Sequence, residues 1–472
     1  MPAIPRPLKG ETSLVVDWRS WAATLILLAA ALLLAAPDAA HGFVVLEEGF
    51  ECNVIDADTG NALPGVTVRV IRQAVGPVAS TTTNSSGWCS FTGDFADATY
   101  YIEFDKTDYM FSISPFIPHS GSQHHVVNHD QWPMAHRIWG QNRFSTATEI
   151  AKARNHNYPI NSWFATDHVI IASGDDRAAA DPLAAAGLSW AWNRAPIFLV
   201  SAKYTPSEVL TTIADVADKN GGVELEVVGG PVSVPDARLN EIVDYVETKT
   251  GQSVKVHRLL STGSRYDMAA KITQEMKARA DSEPGLIWKN RFLVANGTDP
   301  DKFFDALALS PVAASAGYPI VLVSENSVPP ATENVIKQFT PEHIYVGGGP
   351  NTVSESVLTK LGGWDADVLP PDRWWGQNRY ATAKDIAMNA PAHGLDWDEM
   401  GVAAKLPDAL SGGTFLGLYD APLLLVKKDS VPAETSSFIQ ALDSQEPCYI
   451  FGGPNSVEES VRLEIYDQLK HQ

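Results

Sequence analysis

Apolar and polar positions follow two different rhythms along this chain. In the first part they alternate. Residues 65–71 (GVTVRVI) put apolar side chains at every second position, and residues 98–104 (ATYYIEF) are rich in aromatic and β-branched types. Turn-forming groups separate such runs at Asp58-Thr59-Gly60-Asn61, Asn84-Ser85-Ser86-Gly87 and Thr92-Gly93-Asp94. This spacing predicts a small all-β sandwich over residues 43–132. From residue 133 onward, short apolar runs alternate with helical patterns. RFLVANG (291–297) reads as a strand, and FFDALALSPVAASAG (303–317) as an Ala/Leu-rich helix stopped by glycine. Pro319 opens the strand IVLV, and Pro329-Pro330 leads into a helix whose Val335, Ile336 and Phe339 share one face. Thr352-Val-Ser-Glu355 fits a capping box, Ser456-Val-Glu-Glu459 repeats it, and Ser233-Val-Pro-Asp236 approximates it. The alternation predicts an α/β fold with parallel sheets covered by helices on both faces. Right-handed crossovers would make each unit Rossmann-like or Toprim-like.

This second part is a threefold repeat. RIWGQNRFSTATEIA from Arg137, RLLSTGSRYDMAAKIT from Arg258 and RWWGQNRYATAKDIA from Arg373 share one signature. Each is followed by an Asp-led run (DPLAAA from Asp181, DALALS from Asp305, DALSGG from Asp408). A Pro-led apolar run comes next (PIFLV, PIVLV, PLLLV), and then a Gly-Gly-Pro turn (EVVGGPVSV, YVGGGPNTV, YIFGGPNSV). The expected units are residues 133–250, 251–366 and 367–472.

The beginning of the chain carries a different signal. Residues 21–36 (WAATLILLAAALLLAA) form an apolar run preceded by Arg6, Lys9 and Arg19, and Ala40-His41-Gly42 fits a secretory cleavage site. Residues 1–42 are therefore expected to be a signal peptide, with an uncleaved membrane anchor as the alternative. No second apolar run of membrane-spanning length follows. The protein is expected to be secreted and, if it stays at the surface, to be held there by non-covalent contacts.

Charge then limits the partners. With 35 Lys and Arg against 56 Asp and Glu, the 472 residues carry a net charge of −21. Such acidity argues against general nucleic-acid binding and against adhesion to anionic membranes. Three cysteines are too few for a disulfide scaffold or a Cys-rich zinc module. In an exported protein Cys52 and Cys89 can pair as a disulfide; the alternative is two buried thiols. Cys448, in the apolar run CYIF, reads as core. His119, His124, His125 and His129 fall in a Ser/Gly/Asn-rich stretch that reads as a solvated hinge rather than a metal site.

The repeated residues supply the candidate chemistry. Each unit keeps two arginines: Arg137 and Arg143, Arg258 and Arg265, Arg373 and Arg379. Guanidinium groups hold phosphate or carboxylate in bidentate geometry, and an arginine just ahead of a helix would act together with free helix amides. Ion pairs with the repeated Asp181, Asp305 and Asp408 would have the same periodicity, so anion binding and module packing both fit. Three weak sites in one chain would give avidity. The Gly-Gly-Pro turns lack the spacing of a P-loop and read as tight strand-to-helix turns. Trp139, Trp374 and Trp375 flank the arginine motif, where stacking on sugars and core packing are both open. No GxSxG, HExxH or CxxC pattern is present. No catalytic residue and no cofactor is expected.

The pattern R-x-x-G-x-N-R-[YF]-x-T-A, D-[AP]-L, P-[IL]-x-L-V and GGP-x-[ST]-V resembles the type 2 cell wall binding repeat from Arg137 to the C-terminus. That resemblance implies three α/β modules in a pseudo-threefold arrangement. It also implies non-covalent attachment to the wall through an anionic secondary polymer, teichoic-acid-like or an acidic polysaccharide. The second unit departs from the pattern, with Ser-Thr-Gly-Ser in place of Gly-x-Asn. The third has a shortened Asp loop, and the first has Asp-Pro in place of Asp-Ala. The stretches VIDADTGNALPGVTVRV, TTNSSGWCSF and TYYIEFDKTDY resemble transthyretin-like sandwiches of the carboxypeptidase regulatory and collagen-adhesin B type. This implies a structural or adhesive module without catalysis, for which a surface protein is the candidate partner. The rival readings are a wall hydrolase or nucleotide-using enzyme built on the α/β units, and a structural surface-layer or adhesion protein that never touches polymer.

Overall fold

The computed structural model describes residues 49–56, 59–72, 76–92, 100–106, 109, 112–116, 125–131, 134–153, 166–259, 263–365, 371–442 and 447–470. The expected signal peptide, residues 1–42, lies outside the described residues, as do His119 and His124. Among the described residues no helix is long and apolar enough to cross a membrane.

The alternating N-terminal part forms two sheets. One places Gly49–Asp56 between Trp88–Thr92, antiparallel, and His125–Gln131, parallel. The other is antiparallel, in the order Gly76–Thr82, Thr67–Arg72, Tyr100–Asp105, Ser112–Phe116. One apolar cluster takes Cys52, Val54 and Phe91 from the first sheet and Val68, Val70, Ile102 and Phe104 from the second. Every second residue points into it, as the sequence pattern requires. The solvated hinge expected around His125 and His129 is instead a strand. Its polar composition concealed a ladder completed by a segment about seventy residues earlier, beyond the reach of local reading. Cys52 and Cys89 are directly opposed in the antiparallel register and are buried free thiols, hydrogen-bonded to each other. Cys448 is fully buried in its strand, as expected for core.

The remainder is α/β, with three sheets of four parallel strands. The first runs Ile197–Val200, His168–Ser173, Val223–Val228, Val254–Arg258. The second runs Ile320–Val323, Arg291–Asn296, His343–Gly347, Asp372–Trp374. The third runs Leu423–Leu425, Met400–Ala403, Cys448–Phe451, Ala135–Ile138. Each sheet thus ends on a strand belonging to another sequence repeat. The strand that opens the second repeat completes the first sheet, that of the third completes the second, and that of the first completes the third. Helix Phe303–Ala316 forms where the Ala/Leu run predicts it and stops at Gly317, whose φ of 74° is the left-handed conformation that glycine adopts without penalty.

Helices from the three units meet at the centre. Ala186–Ala191, Phe303–Ala316 and Gly412–Leu416 contact one another in every pairing. Small residues permit this approach. A Cβ on Gly417 would lie 2.5 Å from Ala314 Cβ, and one on Gly413 would overlap the Ser310 side chain. A common apolar cluster includes Leu188, Leu309 and Phe415, one from each unit. Each sheet also has its own outer cluster, around Ile213 and Ile242, Ile336 and Leu361, and Ile439 and Ile465. Arg194 ties the three units by donating to Ala314 O at 2.7 Å and Gly417 O at 2.6 Å.

Candidate functional site

The G-x-N-R part of the signature builds a helix start. Asn142 Oδ1 accepts from the Phe144 and Ser145 amides at 2.9 and 3.0 Å, and Asn378 Oδ1 accepts from the Ala381 amide at 2.9 Å. Ser264 takes over in the second unit, forming a capping box with Asp267. The glycine permits close packing onto the helix that follows: a Cβ on Gly140 would lie 2.5 Å from Ser145 Cβ. Its amide donates to Thr146 Oγ1 at 3.1 Å, and Gly376 does the same to Thr382 at 3.1 Å. This places the second arginine of each unit on the first turn of a helix: Arg143–Ala153, Arg265–Ser282 and Arg379–Asn389.

The first arginines serve the Gly-Gly-Pro turns. Arg373 Nη1 donates to Gly348 O and Val353 O, both at 2.8 Å, while Nη2 reaches Glu355 Oε1 at 3.2 Å. Arg137 makes the same three contacts with Gly452 O at 2.8 Å, Val457 O at 2.9 Å and Glu459 at 3.4 Å. Arg258 repeats them with Gly229 O, Val234 O at 2.8 Å and Asp236 at 2.8 Å. Each guanidinium staples the turn that precedes it in space, and only 5–13% of each side chain is exposed. These contacts also replace the three expected capping boxes. Ser354 caps its helix without a side-chain bond, Pro235 stands at the N-cap of Asp236–Thr250, and Glu355, Asp236 and Glu459 pair with the arginines instead.

The second arginines lie at junctions between units. Arg265 Nη1 donates to Gly297 O at 2.7 Å, and its charge also acts on Asp181 of the first unit. Arg379 acts in the same way on Asp305 of the second unit, and its guanidinium lies 4.3 Å over the Phe304 ring. Arg143 donates to Gly174 O at 3.0 Å and pairs with Asp176, and its helix packs against Leu406–Ala409, which carries Asp408. Burial is the main influence on Asp181 and Asp305 and pushes both up to about 6, with the arginines acting in the opposite direction. Each of the three aspartates approaches the first, positive-φ glycine of its own Gly-Gly-Pro turn. A Cβ on Gly229 would lie 3.8 Å from Asp181 Oδ2, and one on Gly452 would lie 2.9 Å from Asp408 Oδ2. The sequence therefore identifies the repeated charges but not their division of labour: one arginine per unit holds a turn and the other faces a junction.

The tryptophans also divide. Trp374 is buried and stacks on Tyr345 at 4.7 Å, so it belongs to the core. Trp139 and Trp375 stay 45% and 43% exposed, each covering the second glycine of a turn, Gly453 and Gly349.

Comparison with known proteins places this architecture. Three stretches, residues 137–238, 260–358 and 373–462, match the family described as cell wall binding domain 2, together more than half of the chain. The N-acetylmuramoyl-L-alanine amidase LytC of Bacillus subtilis (strain 168) is 26% identical over 337 residues, which span 71% of this chain and 58% of the amidase. The amidase enhancer of the same organism is 27% identical over 216 residues, 46% of this chain and 27% of its own length. The chain thus spans little more than half the length of the first of these relatives. Among solved structures, Cwp6 from Clostridium difficile has a TM-score of 0.60 at 19% identity, covering 89% of this chain and 68% of that one. Cwp8 from the same organism gives 0.57 at 18% over the same shares. A parallel-sheet α/β fold repeated three times, with the arginine, aspartate and Gly-Gly-Pro signatures in matching places, makes this chain a member of the cell wall binding domain 2 family.

Proposed function

We propose that the three α/β units hold this protein to the cell wall by gripping an anionic secondary polymer, with Arg143, Arg265 and Arg379 as the contact cations. The observation that carries this reading is the recurrence of a second arginine on the first turn of a helix at each unit junction. There, a guanidinium at the positive end of a helix can meet a phosphate or carboxylate. The first arginines are assigned to turn geometry. Trp139 and Trp375 offer half-exposed ring faces beside the turns, suited to stacking against sugar. The overall acidity opposes a polyanion at long range, so the three junctions act together and binding is steeply dependent on salt. The N-terminal sheets are read as a transthyretin-like sandwich displayed outward for a surface protein partner. Residues 1–42 are read as a signal peptide that delivers the chain to the exterior. The activities of the longer relatives are not carried over to this protein, which is read as a binder and not an enzyme.

Sedimentation of the purified protein with isolated walls, before and after extraction of secondary polymers, tests the proposal. Retention by intact walls and release from stripped walls is the expected pair of results. Equal retention by both would refute polymer anchoring and favour a purely structural surface role.

A further inference from the structure

The first sheet carries a polar cluster that neither the repeat signatures nor the wall-binding reading uses. His168 and Glu224 are opposite each other on adjacent parallel strands, and Glu226 lies two residues further along, opposite Ile170. One ligand atom from each of the three lies within 4.8 Å of the others. His168 Nδ1 stands 3.9 Å from Glu226 Oε1 and 4.0 Å from Glu224 Oε2. Each residue uses its other atom elsewhere. His168 Nε2 faces Asp167 Oδ1 at 3.5 Å, Glu224 Oε1 pairs with Lys255, and Glu226 Oε2 meets His257 Nδ1 at 2.9 Å. His168 Nδ1, by contrast, is buried without a hydrogen-bond partner. One imidazole nitrogen without a hydrogen-bond partner therefore faces two carboxylate oxygens, each on a side chain already oriented by a neighbour, which is how ligands of a metal site are held from behind.

We propose that His168, Glu224 and Glu226 form a binding site for a divalent first-row transition-metal ion such as Zn2+. Imidazole nitrogen with two carboxylate oxygens suits such an ion, and bond lengths of about 2.0–2.2 Å need the donors to close by less than about an ångström. The surroundings agree. Glu226 is 1% exposed, and a buried carboxylate without a full counter-charge is costly. Lys255 holds one oxygen of Glu224 and leaves the other toward His168. Arg279 lies 4.4 Å over Trp192 and bonds Glu283 at 3.0 Å, while Trp192 stacks on His168 at 4.3 Å. Among the described residues this grouping occurs only in the first unit. At the same register the second sheet has Arg291, His343 and Tyr345, with Arg291 Nη1 donating to Tyr318 Oη at 3.2 Å, and the third has Tyr449 opposite Gly401.

Calorimetric titration of ZnCl2 into the EDTA-treated full chain tests this, together with melting curves with and without zinc. A variant with His119, His124, His125 and His129 all changed to Asn removes the competing histidine-rich stretch. In that background one equivalent of zinc is expected to bind and to raise the melting temperature. Glu224→Gln, at a partly exposed position, is expected to weaken binding by at least about tenfold while leaving the zinc-free melting temperature near that of its parent. His168→Gln should do the same, and if it fails to fold, Glu224→Gln decides. Absence of zinc binding in the parent, binding that vanishes with the four histidines, or binding indifferent to Glu224→Gln would each overturn the proposal.

Discussion

Arg373→Ala separates the two arginine roles most sharply. The substitution removes two hydrogen bonds from a charged donor to main-chain carbonyls and one ion pair, from a side chain only 9% exposed. Hydrogen bonds to charged groups contribute about 1.5–3 kcal/mol each, and the surface-facing Glu355 pair adds little, so the loss should be about 3–5 kcal/mol. If the roughly 340 residues from Met134 onward melt together, with an unfolding entropy of about 2.1 cal/mol/K per residue, the melting temperature should fall by about 4–7 °C. Arg373→Lys keeps the charge but cannot bridge both carbonyls and the carboxylate, so it should recover no more than half of this. Arg143→Ala combined with Arg379→Ala should instead lower wall retention while shifting the melting temperature by about 2 °C or less. Calorimetry and wall sedimentation on the same samples give both readouts. An Arg373→Ala protein with unchanged melting but reduced retention would refute the division of roles, as would a large loss of stability in the double variant.

Three further outcomes follow from the geometry. Asp305 titrates near 6 when folded, against 3.8 for the free side chain, so rising pH ionises the unfolded chain first and stability from this group is lost between about 4 and 6. Asp305→Asn should therefore be near neutral at pH 4 and stabilising by up to about 3 kcal/mol at pH 7.5, read as a melting-temperature difference that widens with pH; a difference independent of pH would contradict the buried, protonated carboxyl. Gly413→Ala should destabilise by about 1–3 kcal/mol through overlap with Ser310, and adding Ser310→Gly should restore most of the loss, both measured by thermal melting. Under oxidising conditions the opposed Cys52 and Cys89 should form a disulfide recovered as a cross-linked peptide by non-reducing mass spectrometry, stabilising the N-terminal part by roughly 4 kcal/mol from loop closure; persistent free thiols would argue against it.

Much of this architecture was legible in the residues because the signals were local. The helix ending at Gly317, the buried strands after Pro196, Pro319 and Pro422, and the alternation of Thr67–Arg72 each follow from a pattern within a dozen positions. What escaped depends on long-range pairing. A repeat has a period but no phase, so nothing in the signature says that the strand bearing Arg258 joins the preceding sheet. The Thr-x-x-Glu spacing at Thr352 and Glu355 satisfies a capping rule, yet the carboxylate goes to Arg373, a partner that only folding brings near. His168, Glu224 and Glu226 were invisible as a group because they stand on two strands separated by more than fifty positions.

The strand Ala135–Ile138 closes the third sheet against Cys448–Phe451, and it lies only a few residues after His125–Gln131 of the N-terminal sheets. Tension applied to the N-terminal sheets would therefore enter the α/β assembly through the unit built mostly from the far end of the polypeptide. The first elements to bear that force are one edge ladder and the Arg137 contacts to Gly452 and Val457. Under traction, this seam determines whether the ring of units stays shut, and a truncation at either end of the triplet would weaken the same joint.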